Sequence, residues 1–416
     1  MIDWDPVVRA HRERRAVRLR AGRRLAISAE RAFAAAVAAS APFRLGTRFR
    51  AAPDVRFHAG DDLVRAPGDR LPGPEDGSLD AYVARITGSA GPAGRSAPGA
   101  PFQLVVTHPL VIDFALWAEV RDLVRGLFAQ IGAPVLPVVS ELVLGTFARS
   151  PRGFTRRMRC AVVTIVLAGR LRARLWRTLW QRSPNEIREL DELRELREHP
   201  PDAVLDARAG DVLYWPADRW HLDEAVAPCL ALRLWIPAAG SATASVAAQL
   251  LGELVADRLG ASAGGAVPYA PIARPRTGAP PRPLRDAGRL LGELARGPEL
   301  PRELAILWAR RVSACGLEPV PAARAIALSP TARVRRDPRT PIVQLRWCGE
   351  SIWAANGHGF ALRSGERALR SVLAGLERCD ASVAELCRGD AGLRGALELL
   401  AELRALAVAE PGAGGA

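Results

Sequence analysis

Gly210-Asp-Val-Leu-Tyr-Trp-Pro-Ala-Asp-Arg-Trp-His221, continued by Cys229-Leu-Ala-Leu-Arg-Leu-Trp-Ile-Pro237, is the stretch on which the fold turns. A Gly-Asp turn feeds a short apolar strand, Asp211–Trp215, and Pro216 breaks it, because proline has no N–H to give a strand ladder. Trp220 and His221 mark a corner before a second strand, Cys229–Ile236. Strands this rich in Val, Leu, Ile and aromatics need partners, and the upstream sequence offers them. Phe102–Thr107, Ser140–Phe147, Cys160–Leu167 and Leu171–Trp176 all read as strands. Two helices interrupt the series. Phe114–Ile131 is amphipathic and stops near Gly132 and Pro134. A second begins at Ser183, with Pro184 and Glu186 completing a capping box and Ile187, Leu190, Leu193 and Leu196 forming its apolar stripe. Strands without βαβ alternation predict an antiparallel barrel or sandwich.

The chain of 416 residues has room for two or three domains. Its 49% hydrophobic and 25% charged residues exclude a fibrous or wholly disordered protein. The formal charge is +14, from 58 basic and 44 acidic residues, yet every basic residue is Arg. With only 2 Met and 3 Tyr beside abundant Ala, Gly and Pro, this is the signature of a GC-rich genome. The arginine excess is therefore discounted as a nucleic-acid signal, and Arg9–Arg24 reads as a solvated helix and edge strand. Six scattered cysteines without a CxxC pair give neither a zinc knuckle nor a disulfide framework and imply a reducing compartment. No secretory leader and no apolar run of about 18 residues is present, so the expectation is a cytoplasmic protein with no membrane partner.

Polar, Gly/Pro-rich breaks fall at Arg65–Ser78 and Gly88–Pro101, and the strongest at Gly264–Pro283. The expected division is residues 1–263, a linker at 264–283, a C-terminal domain at 284–410 and a tail at 411–416. In the C-terminal part, Asp286–Ala295 and Glu303–Cys315 read as helices. Pro341–Trp347 and Ser351–Leu362 read as a hairpin through Gly349 or Asn356-Gly357, followed by helices at Glu366–Arg378, Ser382–Cys387 and Leu393–Ala405. A strand pair joined to a helical cluster fits a winged-helix-like fold.

The opening stretch resembles the second metal-ligand segment of the JmjC and cupin-type Fe(II)/2-oxoglutarate oxygenases, which include the ribosomal-protein hydroxylases. Ser140–Phe154 is similar to the strand and loop leading into that family's first ligand motif, and Ala161–Trp176 to the strand, turn and strand that follow. The resemblance implies an α+β chain in which a double-stranded β-helix precedes a C-terminal winged-helix-like domain. It also implies two ligands at i and i+2, His and Asp, and a later His. With Gly169 set on the family's turn, the first two positions are Arg156 and Met158, and His221 alone is retained. The position of the basic clamp for 2-oxoglutarate is Leu171, while Arg170 and Arg172 alternate to the opposite face. Arginine has no lone pair to donate, and a thioether suits soft metals rather than Fe(II).

The implied protein is a degenerate oxygenase relative, with no catalytic residues and no cofactor. Arg156, His221 and Trp220 would bind a peptide, a protein or an acidic small molecule, and a homodimer is compatible. Two alternatives stay open. One is an active Fe(II)/2-oxoglutarate-dependent dioxygenase acting on a protein or peptide natural product, with unusual ligands gathered from His199, Glu141 or Cys160. The other is a nucleic-acid-binding regulator using the winged helix. His221-Leu-Asp223 also spells the first ligand motif, but its only downstream His is His358, beyond the linker. The degenerate reading predicts that purified protein contains no stoichiometric iron and releases no succinate from 2-oxoglutarate above a no-enzyme control. One equivalent of Fe(II), or turnover, would contradict it.

Overall fold

The computed structural model describes residues 2–20, 27–46, 52–88, 101–151, 160–177, 199–217, 219–237, 248, 252, 282–297 and 299–409. Arg156, Met158, the helix expected from Ser183 and the linker at 264–281 lie outside the described residues. The chain divides into two units, Met1–Gly240 with Ala314–Arg324, and Ser241–Ser313 with Ala325–Ala416.

In the first unit the order is α1 (Asp5–Glu13), β1 (Val17–Arg20), α2 (Ala29–Arg44), β2 (Asp54–Ala59), β3 (Asp62–Val64), α3 (Leu79–Gly88), β4 (Phe102–Thr107), α4 (Phe114–Ile131), β5 (Val139–Phe147), β6 (Cys160–Ala168), β7 (Arg170–Trp176), β8 (Ala203–Arg208), β9 (Asp211–Trp215) and β10 (Trp220–Pro237). The strands form an antiparallel sheet in the order β1-β9-β6-β10-β5-β4-β2-β3, with β7 branching off β10 and carrying β8. The corner expected at Trp220-His221 is instead the start of β10, one long strand that changes partners. Residues 220–224 pair with β7, and after a register shift between Ala225 and Cys229 the rest runs between β5 and β6. That switch folds the branch over the main sheet and closes a barrel-like interior.

Alternation then sorts the side chains. On β10, Leu230, Leu232, Leu234 and Ile236 face outward into a core shared with α1, α2 and α4. Cys229, Ala231 and Trp235 face the interior with Val143, Val162, Leu171, Leu175 and Trp215. Helix α4 begins where the Asp113 carboxylate accepts from the N–H groups of Ala115 and Leu116, at 2.7 and 3.2 Å. It buries Leu116, Trp117, Val120, Val124 and Leu127 along one stripe. The break at Arg65–Ser78 is an ordered loop rather than a linker. Buried Asp76 holds it by a bidentate pair with Arg85, at 2.6 and 2.8 Å, and by accepting from the Gly73 N–H at 2.8 Å.

The second unit contains α5 (Arg282–Arg296), α6 (Glu299–Ser313), β11 (Arg333–Arg336), β12 (Ile342–Trp347), β13 (Glu350–Ala355), β14 (His358–Leu362), α7 (Glu366–Leu376), β15 (Ala381–Ser382), α8 (Val383–Cys387), α9 (Ala391–Glu402) and β16 (Leu406–Ala409). Pro283 and Pro301 fall in the first turns of α5 and α6, where a missing N–H costs nothing, so both helices start earlier than expected. Both turns weighed for the hairpin are used. Cys348-Gly349 and Asn356-Gly357, all at positive φ, make a three-stranded meander of β12, β13 and β14. A second small sheet has the order β15-β11-β16. Residues 314–324, placed with the C-terminal domain by the sequence, belong to the first unit. There the Leu317 carbonyl accepts from Trp117 Nε1 at 3.2 Å, and the Gly316 carbonyl from the Val138 N–H at 2.7 Å. Among the described residues no helix is long and apolar enough to cross a membrane.

The tight β6–β7 turn rests on Gly169, at φ +71°, where an added Cβ would lie 1.8 Å from the Pro228 carbonyl oxygen. Gly169→Ala is expected to cost at least about 2 kcal/mol, from strain and displacement of the β10 bend. Urea unfolding measures it, and a variant as stable as the parent would contradict the assignment.

Candidate functional site

The barrel interior carries polar side chains at one level. Across the main sheet, Thr164 on β6, Arg233 on β10 and Glu141 on β5 are successive cross-strand neighbours. From the first half of β10, His221 and Asp223 alternate to the same interior. All five are buried: Arg233 is 2% exposed, His221 1% and Asp223 3%.

Arg233 organises the group, and each of its guanidinium nitrogens is engaged. Nε donates to Thr164 Oγ1 at 3.2 Å, and Nη2 donates to Asp223 Oδ2 at 2.6 Å. Nη1 lies 3.5 Å from His221 Nε2, a long contact rather than a strong bond. Trp215 and Trp235 wall the cluster. The guanidinium carbon is 5.7 Å from both ring centroids, within cation–π range. The His221 ring stands 5.0 Å from that of Trp215 and 5.6 Å from that of Trp235. Buried Cys229 has its thiol pushed up to about 12, first by burial, then by the Asp223 charge, with Arg233 opposing. It is therefore a neutral thiol and not a nucleophile at physiological pH.

His221 is in this site. Leu171, where the resemblance implies a basic clamp, is fully buried in the interior cluster and presents only an isobutyl group. Arg170 and Arg172 face outward, where they pair with Asp206, and Arg172 and Arg174 pair with Glu224. Hydrogen bonding from Arg170 and Arg172 holds the Asp206 carboxyl down at about 2. Trp220 is not brought beside His221: one position earlier on the strand, it alternates to the other face and pairs in register with Trp176. The aromatic wall is Trp215 and Trp235 instead. Sequence reasoning missed Arg233. The available signal was Cys229–Ile236 itself, a strand apolar on both faces, which leaves an arginine at position 233 nowhere to go but inside.

The described residues do not suit a divalent cation. No group of three or more His, Cys, Asp or Glu among them could hold a metal ion. The Nε2 atom of His221 already faces a fixed guanidinium, and a second positive charge there would meet strong repulsion in a water-poor interior.

No protein-family model matches the sequence, and no curated protein matches it either. Solved structures do. A ribosomal oxygenase from Escherichia coli, YcfD, superposes with a TM-score of 0.51 at 15% identity, covering 99% of each chain. The fold is similar to that of a ribosomal oxygenase. The same E. coli protein in complex with cobalt and succinic acid aligns at a TM-score of 0.49, with 15% identity and 99% coverage of both chains. The likeness to YcfD spans the whole chain, so the resemblance of Ser140–Pro237 to JmjC and cupin-type proteins extends to a mixed α/β architecture with a large antiparallel sheet.

Breaking the buried ion pair from one side leaves an uncompensated charge. Arg233→Met is expected to destabilise the first unit by about 3–5 kcal/mol, and Arg233→Met/Asp223→Asn to recover much of that loss. Chemical denaturation of the two variants checks this. A single variant as stable as the parent, or a double variant no better than the single, would contradict the pairing.

Proposed function

We propose that this protein is a degenerate relative of the Fe(II)/2-oxoglutarate oxygenases that retains the barrel and works by binding an acidic ligand: a peptide, a protein segment or a small carboxylic acid. The observation carrying this reading is the Arg233 guanidinium held between His221 Nε2 and Asp223 Oδ2, in the interior where that chemistry would need donors open to a metal. In this reading neither Fe(II) nor 2-oxoglutarate is a resident cofactor. The clamp position, Leu171, has no charge to offer a distal carboxylate.

The ligand's acidity follows from the second substituted position. The described interior sets one guanidinium, Arg233, against two buried carboxylates, Asp223 and Glu141. We assign Arg156, the residue that the resemblance sets at the first ligand position, as the further guanidinium, since its planar fork suits a carboxylate. The second unit, with its helices and small sheets, is read as winged-helix-like and as a support for self-association in a cytoplasmic protein rather than a nucleic-acid reader. Neighbouring carboxylates already take up much of its arginine: Arg333 pairs with Asp380, and Arg346 and Arg370 with Glu366.

A thermal-shift screen of small carboxylates and acidic peptides tests the reading, repeated with Arg156→Ala. At least one acid is expected to raise the melting temperature of the parent. The variant is expected to bind that acid at least tenfold more weakly, as fits a charge-assisted contact contributing roughly 1.5–3 kcal/mol. If no acid stabilises the parent, or the variant responds equally, the acidic-ligand assignment is overturned.

A further inference from the structure

We propose that the groove between α2 and the 69–77 loop of the first unit is a docking site for a basic amphipathic helix of another protein. The site lies outside the barrel interior and does not depend on the degenerate reading above.

The floor of the groove is apolar and shallow. Its volume is about 630 Å³, within the range of cavities that hold ligands. Ala34, Ala38, Ala41 and Leu45 recur at i, i+4, i+7 and i+11 along α2 and its C-cap, and all four are exposed, Leu45 by 77%. This is a helical stripe turned to solvent, whereas Ala32, Ala35, Ala36 and Ala39 of the same helix lie in the core. Three alanines leave no long side chain above the helix surface, so the backbone of a second helix can approach closely and its larger apolar side chains can fill the trough. From Glu30 to Leu45 the trough follows α2 for about 22 Å, the reach of a helix of about four turns.

The opposite wall, which includes Pro72, Gly73 and Pro74, is preformed. Besides its pair with Asp76, Arg85 donates to the carbonyls of Asp69 and Leu71 at 2.5 and 3.1 Å, and Tyr82 Oη donates to the Arg70 carbonyl at 2.8 Å. An added Cβ at Gly73 would lie 1.5 Å from Arg44 Nη1, so the bare glycine lets the α2 guanidinium close onto the loop.

Charge selects the occupant. At the Leu45 end one guanidinium, Arg44, serves two carboxylates, Glu75 at 2.7 Å and Asp69 at 3.4 Å. Hydrogen bonding from Arg44 holds the Glu75 carboxyl below its ordinary range, so it is ionised at neutral pH. The Asp69 side chain is 98% exposed and is open to a second cation. Glu30 stands at the other end of the groove, where its carboxylate accepts from Ser28 Oγ at 2.5 Å. Among the described residues of the rim, three carboxylates thus face one guanidinium, in a chain whose formal charge is +14. A helix whose apolar face fills the trough and whose Lys or Arg reaches Asp69 meets both features, while an acidic helix meets repulsion.

The test is fluorescence anisotropy of a labelled leucine–lysine peptide of about 15 residues, with its leucines at helical spacing, titrated with the full-length protein. The comparisons are the same peptide with glutamate in place of lysine, and the Ala38→Arg and Asp69→Asn proteins. Both substituted positions are exposed, so the melting temperature is expected to stay that of the parent. The parent is expected to bind the lysine peptide saturably and the glutamate peptide at least roughly tenfold more weakly, with the gap narrowing at high salt. Ala38→Arg fills the trough and supplies its own cation, and is expected to weaken binding at least about tenfold. Asp69→Asn is expected to weaken it roughly twofold to fivefold, as fits an exposed ion pair. If the parent binds neither peptide or binds both equally, or if Ala38→Arg binds like the parent, the proposal is overturned. It is likewise overturned if sedimentation shows a parent dimer that Ala38→Arg dissociates, which would give the groove to a second copy of this chain.

Discussion

The ion pair between Arg233 and Asp223 ties the two halves of β10 together across the bend that makes the barrel. Asp223 lies on the segment paired with β7, and Arg233 on the segment between β5 and β6. Their 2.6 Å contact therefore spans the register shift near Ala225 and Cys229, at the place where the branch folds over the main sheet. Replacing such a pair by apolar residues is often neutral for stability, but removing one member leaves a buried charge at several kcal/mol. The rest of the interior complies with that constraint. Thr164 orients the guanidinium, Trp215 and Trp235 exclude water, and burial keeps the Cys229 thiol neutral.

The outer surface of the same branch uses charge in the opposite manner. Arg170, Arg172 and Arg174 alternate with Leu171, Ala173 and Leu175, and they meet Asp206 and Glu224 across β8 and β10. These pairs are partly solvated, so each contributes little on its own. Their register nonetheless matters: a slip of one residue would drive three arginines into the apolar interior and expel the leucines. The ladder thus keeps the Leu171 isobutyl group on the inner face.

Much of the first unit was legible from alternation. Phe102–Thr107, Asp211–Trp215 and helix Phe114–Ile131 stand where their patterns put them, because each has one strong period and a clear stop signal. Strand β2, Asp54–Ala59, was missed, since Asp54, Arg56 and His58 dilute the apolar signal of Val55 and Phe57. The Trp220-His221 corner proves to be strand because β10 starts directly after the Pro216 break and runs on to Pro237 by changing partner at the register shift, which the sequence does not display. At the site, His221 and Leu171 were singled out by the resemblance, with Gly169 set on the family's turn. Arg233 could not be assigned a role without its partners, since Asp223 is ten residues away and Thr164 lies on another strand.

The central claim is that the barrel is held by an internal guanidinium rather than by a bound metal. The most direct measurement is the thermal unfolding of freshly purified protein before and after exhaustive treatment with a strong chelator, followed by readdition of Fe(II), Co(II) or Zn(II). The account predicts superimposable melting curves under all of these conditions. A first-unit transition that falls on chelation and returns with one equivalent of metal would contradict it.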